Sequence, residues 1–206
     1  MTKETEQKQQ LIIAGLDDLR RVLDQAQVPL KLWGQKGAKT PNDLFEEIKA
    51  GESKLVLDNQ DGLLRLVRTS GVIILSPDGK RFMVEKKQIR RGQERERVLP
   101  CSMMEKGKYG EEPKDTALRG LREELEFTAT DLKPREERTV RKQSPSYPGL
   151  QIENQCFLFE TTLTSEDYGR YKNGFIRQED KIITIWGWKP QGALTSHIDE
   201  GFTWQG

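Results

Sequence analysis

The segment GEEPKDTALRGLREELEF (Gly110–Phe127) constrains the fold more than any other part of the chain. Pro113 suits the first turn of a helix, where its missing N–H has no partner to lose. At about 100° per residue, Ala117, Leu118, Leu121 and Leu125 share one side, which must bury against a sheet. Thr116, Gly120, Glu123, Glu124 and Phe127 gather on a second face, roughly a quarter-turn away. Glu123 and Glu124 are therefore adjacent carboxylates on a rigid element at the edge of a core. A divalent cation would relieve their repulsion and could carry a pyrophosphate with it. The wet side of an ordinary amphipathic helix carries the same pair.

The flanks of this helix are strand-like. GVIILSPDGKRFMVEKK reads as two strands around a Pro-Asp-Gly turn. LQIENQCFLFETTL and DKIITIWGWKP alternate or cluster apolar residues as strands do. Strands, one central helix and more strands predict an α+β layer fold. CSMMEKGKYG, just before the helix, reads as a loop, and the stretch after the helix as a polar link.

Upstream, apolar spacing predicts a helix from Leu11 to about Gln27, ending before Pro29, and a shorter one after TPN that stops at Gly51. KLVLDNQDGLLRLVR reads as two strands around an Asn/Asp/Gly turn. Residues 1–66 thus form an accessory α+β element and residues 67–206 the main domain. For the accessory element, pairing of two copies or a lid over a site are the uses considered.

Charge narrows the chemistry. Lys+Arg number 34 and Asp+Glu 33, so the formal net charge of +1 gives no global pull towards nucleic acid. The only histidine is His197. Zinc sites and Ser-His-Asp triads are disfavoured by that scarcity, and a metal would need carboxylate ligands, which suit magnesium or manganese. Cys101 and Cys156 have no metal-site spacing and read as thiols of a reducing compartment. No apolar run approaches the roughly 20 residues that span a bilayer. MTKETEQKQQ lacks the apolar core of a secretory signal, so a cytoplasmic location is expected.

Glu111, Arg119, Leu121, Glu123, Glu124 and Phe127, with seven residues between Glu111 and Arg119, resemble the Nudix box, G-x5-E-x7-R-E-U-x-E-E-x-G-U, where U is a bulky aliphatic residue. The strand–loop–helix–strand context resembles that family over roughly residues 66–190. The resemblance implies a Nudix-type α/β/α sandwich with a mixed sheet. It also implies metal-assisted attack of water on a nucleoside diphosphate linked to another moiety, with Mg²⁺ or Mn²⁺ as cofactor. Glu123 and Glu124 would hold the metal, Glu111 would support them, and Arg119 would orient the box glutamates. The motif has three departures. Glu105 stands at the family's first glycine, Glu126 at its late glycine, and Gly120 where the family has a metal-cluster glutamate.

A replacement carboxylate could come from RQEDKIITIW, where Glu179 is the first candidate as an extra ligand or base. Arg90 and Arg91 offer guanidinium forks for phosphate oxygens. Tyr147 and Trp186 could stack on a base, although packing is the commoner use of strand aromatics. Two other functions stay open. Loss of the carboxylate at Gly120 would leave a Nudix-fold module that binds a phosphorylated ligand or a protein without hydrolysing it. Cys101 in PCSM loosely resembles the cysteine of Nudix-fold isopentenyl-diphosphate isomerases, but Met103 stands where their histidine would follow.

Overall fold

The computed structural model describes residues 8–90, 93–95, 101–125, 127, 131–179 and 182–193. After a short strand β1 (Lys8–Gln10), helix α1 (Leu16–Gln25) buries Leu19 and Leu23, one turn apart. Helix α2 (Pro41–Lys49) starts at a capping box: the Thr40 hydroxyl accepts from the Asp43 N–H, and the Asp43 carboxylate accepts from the Thr40 N–H. Gly51, at φ +75°, lets the chain turn into strand β2 (Lys54–Asp58). The Asp58 carboxylate accepts the N–H groups of Gln60 and Asp61, fixing the turn into β3 (Gly62–Leu75).

Strand β3 organises the molecule. It pairs in parallel with β8 (Gln151–Thr162) along one edge, register Leu64↔Gln151 to Leu75↔Thr162. Its other edge is taken in turn by β2, by β6 (Met103–Gly107) and by the start of β4 (Arg81–Arg90). Strand β5 (Gln93–Arg95) adds to the end of β4, and β7 (Lys133–Gln143) pairs with β8. Strands β9 (Phe175–Glu179) and β10 (Ile182–Pro190) lie beyond β4 and complete a mixed sheet of ten strands among the described residues.

The alternation of a strand assigns the layers. Val72 and Ile74 of β3 face helix α3 (Pro113–Leu125), in a core with Ala117, Leu121 and Leu125. Tyr168 and Tyr171 of helix α4 (Ser165–Tyr171) pack on the same core. Ile73 and Leu75 face the opposite way, with Phe82, Val84, Cys101 and Leu158. Leu63, on that second face, joins Leu19, Leu23, Leu44 and Tyr147 beneath α1 and α2. The fold is α+β, a three-layer α/β/α sandwich around a mixed sheet.

Several elements differ from the sequence reading. The first helix is shorter, starting at Leu16. CSMMEKGKYG is not wholly a loop, because Met103–Gly107 pairs with Arg68–Val72 as β6. The polar link is the 11-residue strand β7. Helix α3 ends at Leu125, and Phe127 lies beyond it, buried, with its N–H donating to the Leu121 carbonyl at 3.2 Å. The boundary expected at residue 66 falls inside β3, which runs without a break from the N-terminal hairpin into the central sheet.

Candidate active site

The start of α3 is tied down from the sheet. Ser70 Oγ donates to the Pro113 carbonyl at 2.8 Å and Arg68 Nη1 to the Glu111 carbonyl at 3.2 Å. Thr116, Ala117, Gly120, Leu121 and Leu125 are buried, so α3 lies with its small residues pressed on β6. Thr116 Oγ1 stands 3.1 Å from where a side chain on Gly107 would begin.

Arg119 is the hub. Its Nε and Nη2 donate to the two oxygens of Glu111 at 3.0 and 3.2 Å, a bidentate fork. Nη2 also donates to the Lys106 carbonyl at 2.8 Å. Nη1 donates to Glu105 at 2.7 Å and to Glu123 at 3.3 Å. One guanidinium thus gathers carboxylates from β6, from the loop before α3 and from α3 itself. Hydrogen bonds from Arg119, helped by the Lys108 N–H, hold the Glu111 carboxyl down to about 2 against partial burial. Glu111 in turn raises the Arg119 pKa, so the guanidinium stays charged.

Glu105 is the functional candidate that the sequence reading missed. Burial raises its pKa, outweighing the Arg119 hydrogen bond, and Glu123 and Glu52 push the same way. Its position explains Gly120. A Cβ on Gly120 would meet Met103 Cε at 2.3 Å, Glu105 Cβ at 2.9 Å and Glu105 Cγ at 3.2 Å. The helix carries no side chain at 120 because the stem of Glu105 fills that space from the strand. The signal in the sequence was the pairing of two departures from one motif: a glutamate at the expected glycine, and a glycine at the expected glutamate.

Other candidates fall in different places. Glu123 is exposed and Glu124 half-buried on α3. Arg91 lies outside the described residues. Arg90 ends β4 and Glu179 ends β9, and the side chains of both lie outside the described part. Tyr147 is fully buried, 4.8 Å ring to ring from Trp33 and under the Arg65 guanidinium, so it offers no face to a base. Trp186 is 3% exposed and stacked on Phe175, and is likewise a core residue. Cys101 is 1% exposed and its thiol donates to the Met103 carbonyl at 2.9 Å. It sits on the sheet face opposite α3, away from the carboxylates, which removes the isomerase-like reading.

Among the described residues, no three His, Cys, Asp or Glu side chains converge as a metal cage. Two carboxylates do converge on one nitrogen, Arg119 Nη1. Magnesium is commonly held by one or two carboxylates together with substrate phosphates and water. The oxygen-only donors and the mutual repulsion of Glu105 and Glu123 fit such a cation. The Arg119–Glu123 contact would yield to it, because an exposed i,i+4 pair contributes only about 0.3–0.5 kcal/mol.

No family model and no curated protein matches this chain. Solved structures do. A MutT structure from a study of Aliivibrio salmonicida and Vibrio cholerae is 15% identical, with a TM-score of 0.32, over 63% of this chain and 82% of that one. An Ap4A hydrolase from C. elegans is 14% identical, with a TM-score of 0.36, over 65% of this chain and 96% of that one. RenU, a Nudix hydrolase from M. smegmatis, is 11% identical, with a TM-score of 0.32, over 62% and 73%. No helix among the described residues is long and apolar enough to cross a membrane.

Proposed function

We propose that this protein is a metal-dependent hydrolase of a pyrophosphate bond in a nucleoside diphosphate linked to another moiety. The observation that carries the reading is the Arg119 hub, which holds Glu105 beside Gly120 and turns it towards Glu123. Glu105 and Glu123, the two carboxylates that converge, would hold Mg²⁺ or Mn²⁺ together with substrate phosphates and water, with Glu124 next to them on α3. The ion when bound neutralises phosphate charge and lowers the pKa of bound water. Arg119 positions Glu105 and Glu123, and Glu111 anchors Arg119. In the reaction, water oxygen bonds to one phosphorus, the bridging P–O bond breaks, and the departing phosphate takes the electron pair. The proton of the water passes to a carboxylate of this cluster. Glu179, the candidate named from the sequence, would serve as an additional ligand or base.

The test is a panel of nucleotide sugars, dinucleoside polyphosphates, ADP-ribose and nucleoside triphosphates with Mg²⁺ or Mn²⁺, assayed for phosphate products. Turnover by the wild type that disappears in Glu123→Gln/Glu124→Gln is the expected result. Turnover indifferent to that double substitution, or none on any compound, overturns it. A second reading, a module that binds a phosphorylated ligand without hydrolysis, is favoured by Gly120, which leaves α3 one carboxylate short. Nucleotide binding without turnover would establish it.

A further inference from the structure

The strand that carries Glu105 is gripped from its other face by the N-terminal region. Alternation along β6 turns Glu105 towards α3 and Lys106 towards α2. Lys106 Nζ lies 2.9 Å from Glu47 Oε1 and 3.0 Å from Glu52 Oε2. Its carbonyl is the one that accepts from Arg119. Three residues on, the Tyr109 N–H donates to the Gly51 carbonyl at 2.8 Å, and Lys54 Nζ stands 4.0 Å from the centre of the Tyr109 ring. The α2–β2 turn is therefore fastened to the end of β6 and to the start of the loop that leads into α3.

The anchor is itself rigid. Glu47 is nearly buried, with its oxygens shared among Lys39, Lys106, Arg65 and the Ser53 hydroxyl. Such an arrangement resists displacement, because removing one cation leaves a buried carboxylate short of a partner. A shift of Lys106 would move the carbonyl that Arg119 holds and the neighbouring Glu105 with it.

From this we infer that the N-terminal region sets the catalytic geometry: Glu47 and Glu52, acting through Lys106, are positioning residues for Glu105 and Arg119. The inference rests on the hydrolase reading above. It assigns the α2–β2 segment a task other than pairing copies or closing over the site.

The test uses the full-length protein with Lys106→Met and Lys106→Arg. Amide hydrogen exchange is followed over residues 103–111 and over α1, and Mn²⁺ affinity is titrated in parallel. In Lys106→Met, exchange over 103–111 should accelerate about 10-fold with α1 unchanged, and Mn²⁺ affinity should fall about 10-fold, the low end for loss of a supporting group. Lys106→Arg should restore both. Unchanged exchange at 103–111, an equal rise in α1, or faster local exchange with unaltered Mn²⁺ affinity would each overturn the inference. If the wild type binds no Mn²⁺, the hydrolase reading fails, and the exchange pattern alone decides whether the clamp exists.

Discussion

Glu105 and Gly120 share one space: the Cβ that Gly120 lacks would stand 2.9 Å from the Cβ of Glu105. Strand and helix approach closely because one supplies a side chain where the other has none.

Putting a side chain back on the helix should harm the fold. Gly120→Ala gains about 1 kcal/mol of helix propensity, but overpacking against the fixed stem of Glu105 costs about 1–3 kcal/mol. Net destabilisation is expected in urea unfolding, and more for Gly120→Glu. Gly120→Glu combined with Glu105→Gly should recover part of the loss, a non-additivity expected of residues in contact. Equal stability of Gly120→Glu and the wild type would refute the contact.

Glu105→Gln keeps the shape but removes the charge. Hydrolysis and Mn²⁺ affinity should drop on the order of 10- to 100-fold, without the packing loss of Gly120 variants. A variant as active as the wild type would return Glu105 to a purely structural place.

Acid should loosen the N-terminal clamp as Glu47 takes up a proton. Burial opposes ionisation of Glu47, but the charges of Arg65 and Lys106 prevail and hold its carboxyl down from 4.5 to about 2. A depressed carboxylate contributes stability above its unfolded pKa, and that stability disappears as pH falls through the folded value. The window is thus from about pH 4.5 to about pH 2, and the contribution is on the order of 3 kcal/mol. Unfolding free energies across that range should show a decline in the wild type that is shallower in Glu47→Gln. Glu111, also held down to about 2, adds to the same decline in both proteins.

Trp186 is a packing residue, so its loss should be felt in stability before binding. Trp186→Ala should cost about 3–5 kcal/mol, whereas Trp186→Phe should bind nucleotides as the wild type does. Weaker nucleotide binding by Trp186→Phe in a fully folded protein would return the ring to the ligand.

The parts of the fold legible beforehand are those whose two faces differ chemically. Helix α3 shows its apolar side in Leu121 and Leu125, and β3 and β8 carry the short apolar clusters Val72–Leu75 and Cys156–Phe159. Strand β7, KPREERTVRKQ, is charged on both sides because it lies at the sheet edge and its side chains pair off, Arg141 with Glu153 and Asp61 for example. Strand β6 hides in a similar way. Glu105 and Lys106 point to opposite faces yet both meet charged partners, so the alternation of polarity that marks a strand never appears. The box residues Glu111, Arg119 and Glu123 were readable from spacing, and they do meet in space. What spacing could not supply was the contribution from another element, since Glu105 reaches the cluster across a helix–strand contact.

Strand β3 also bears on how the chain is made. Its parallel partner β8 lies 87 residues further on, as the Thr69–Cys156 contact shows. On a ribosome, the strand that three core clusters rest on emerges long before the segment that covers its second edge. Hairpin β2–β3 can form early, but the edge of β3 that pairs with β8 must wait until Gln151–Thr162 has been made. Pairings this distant are slow to close and leave an apolar edge exposed meanwhile. Until β8 is made, one edge of β3 stays unpaired, the condition in which a nascent chain is open to aggregation.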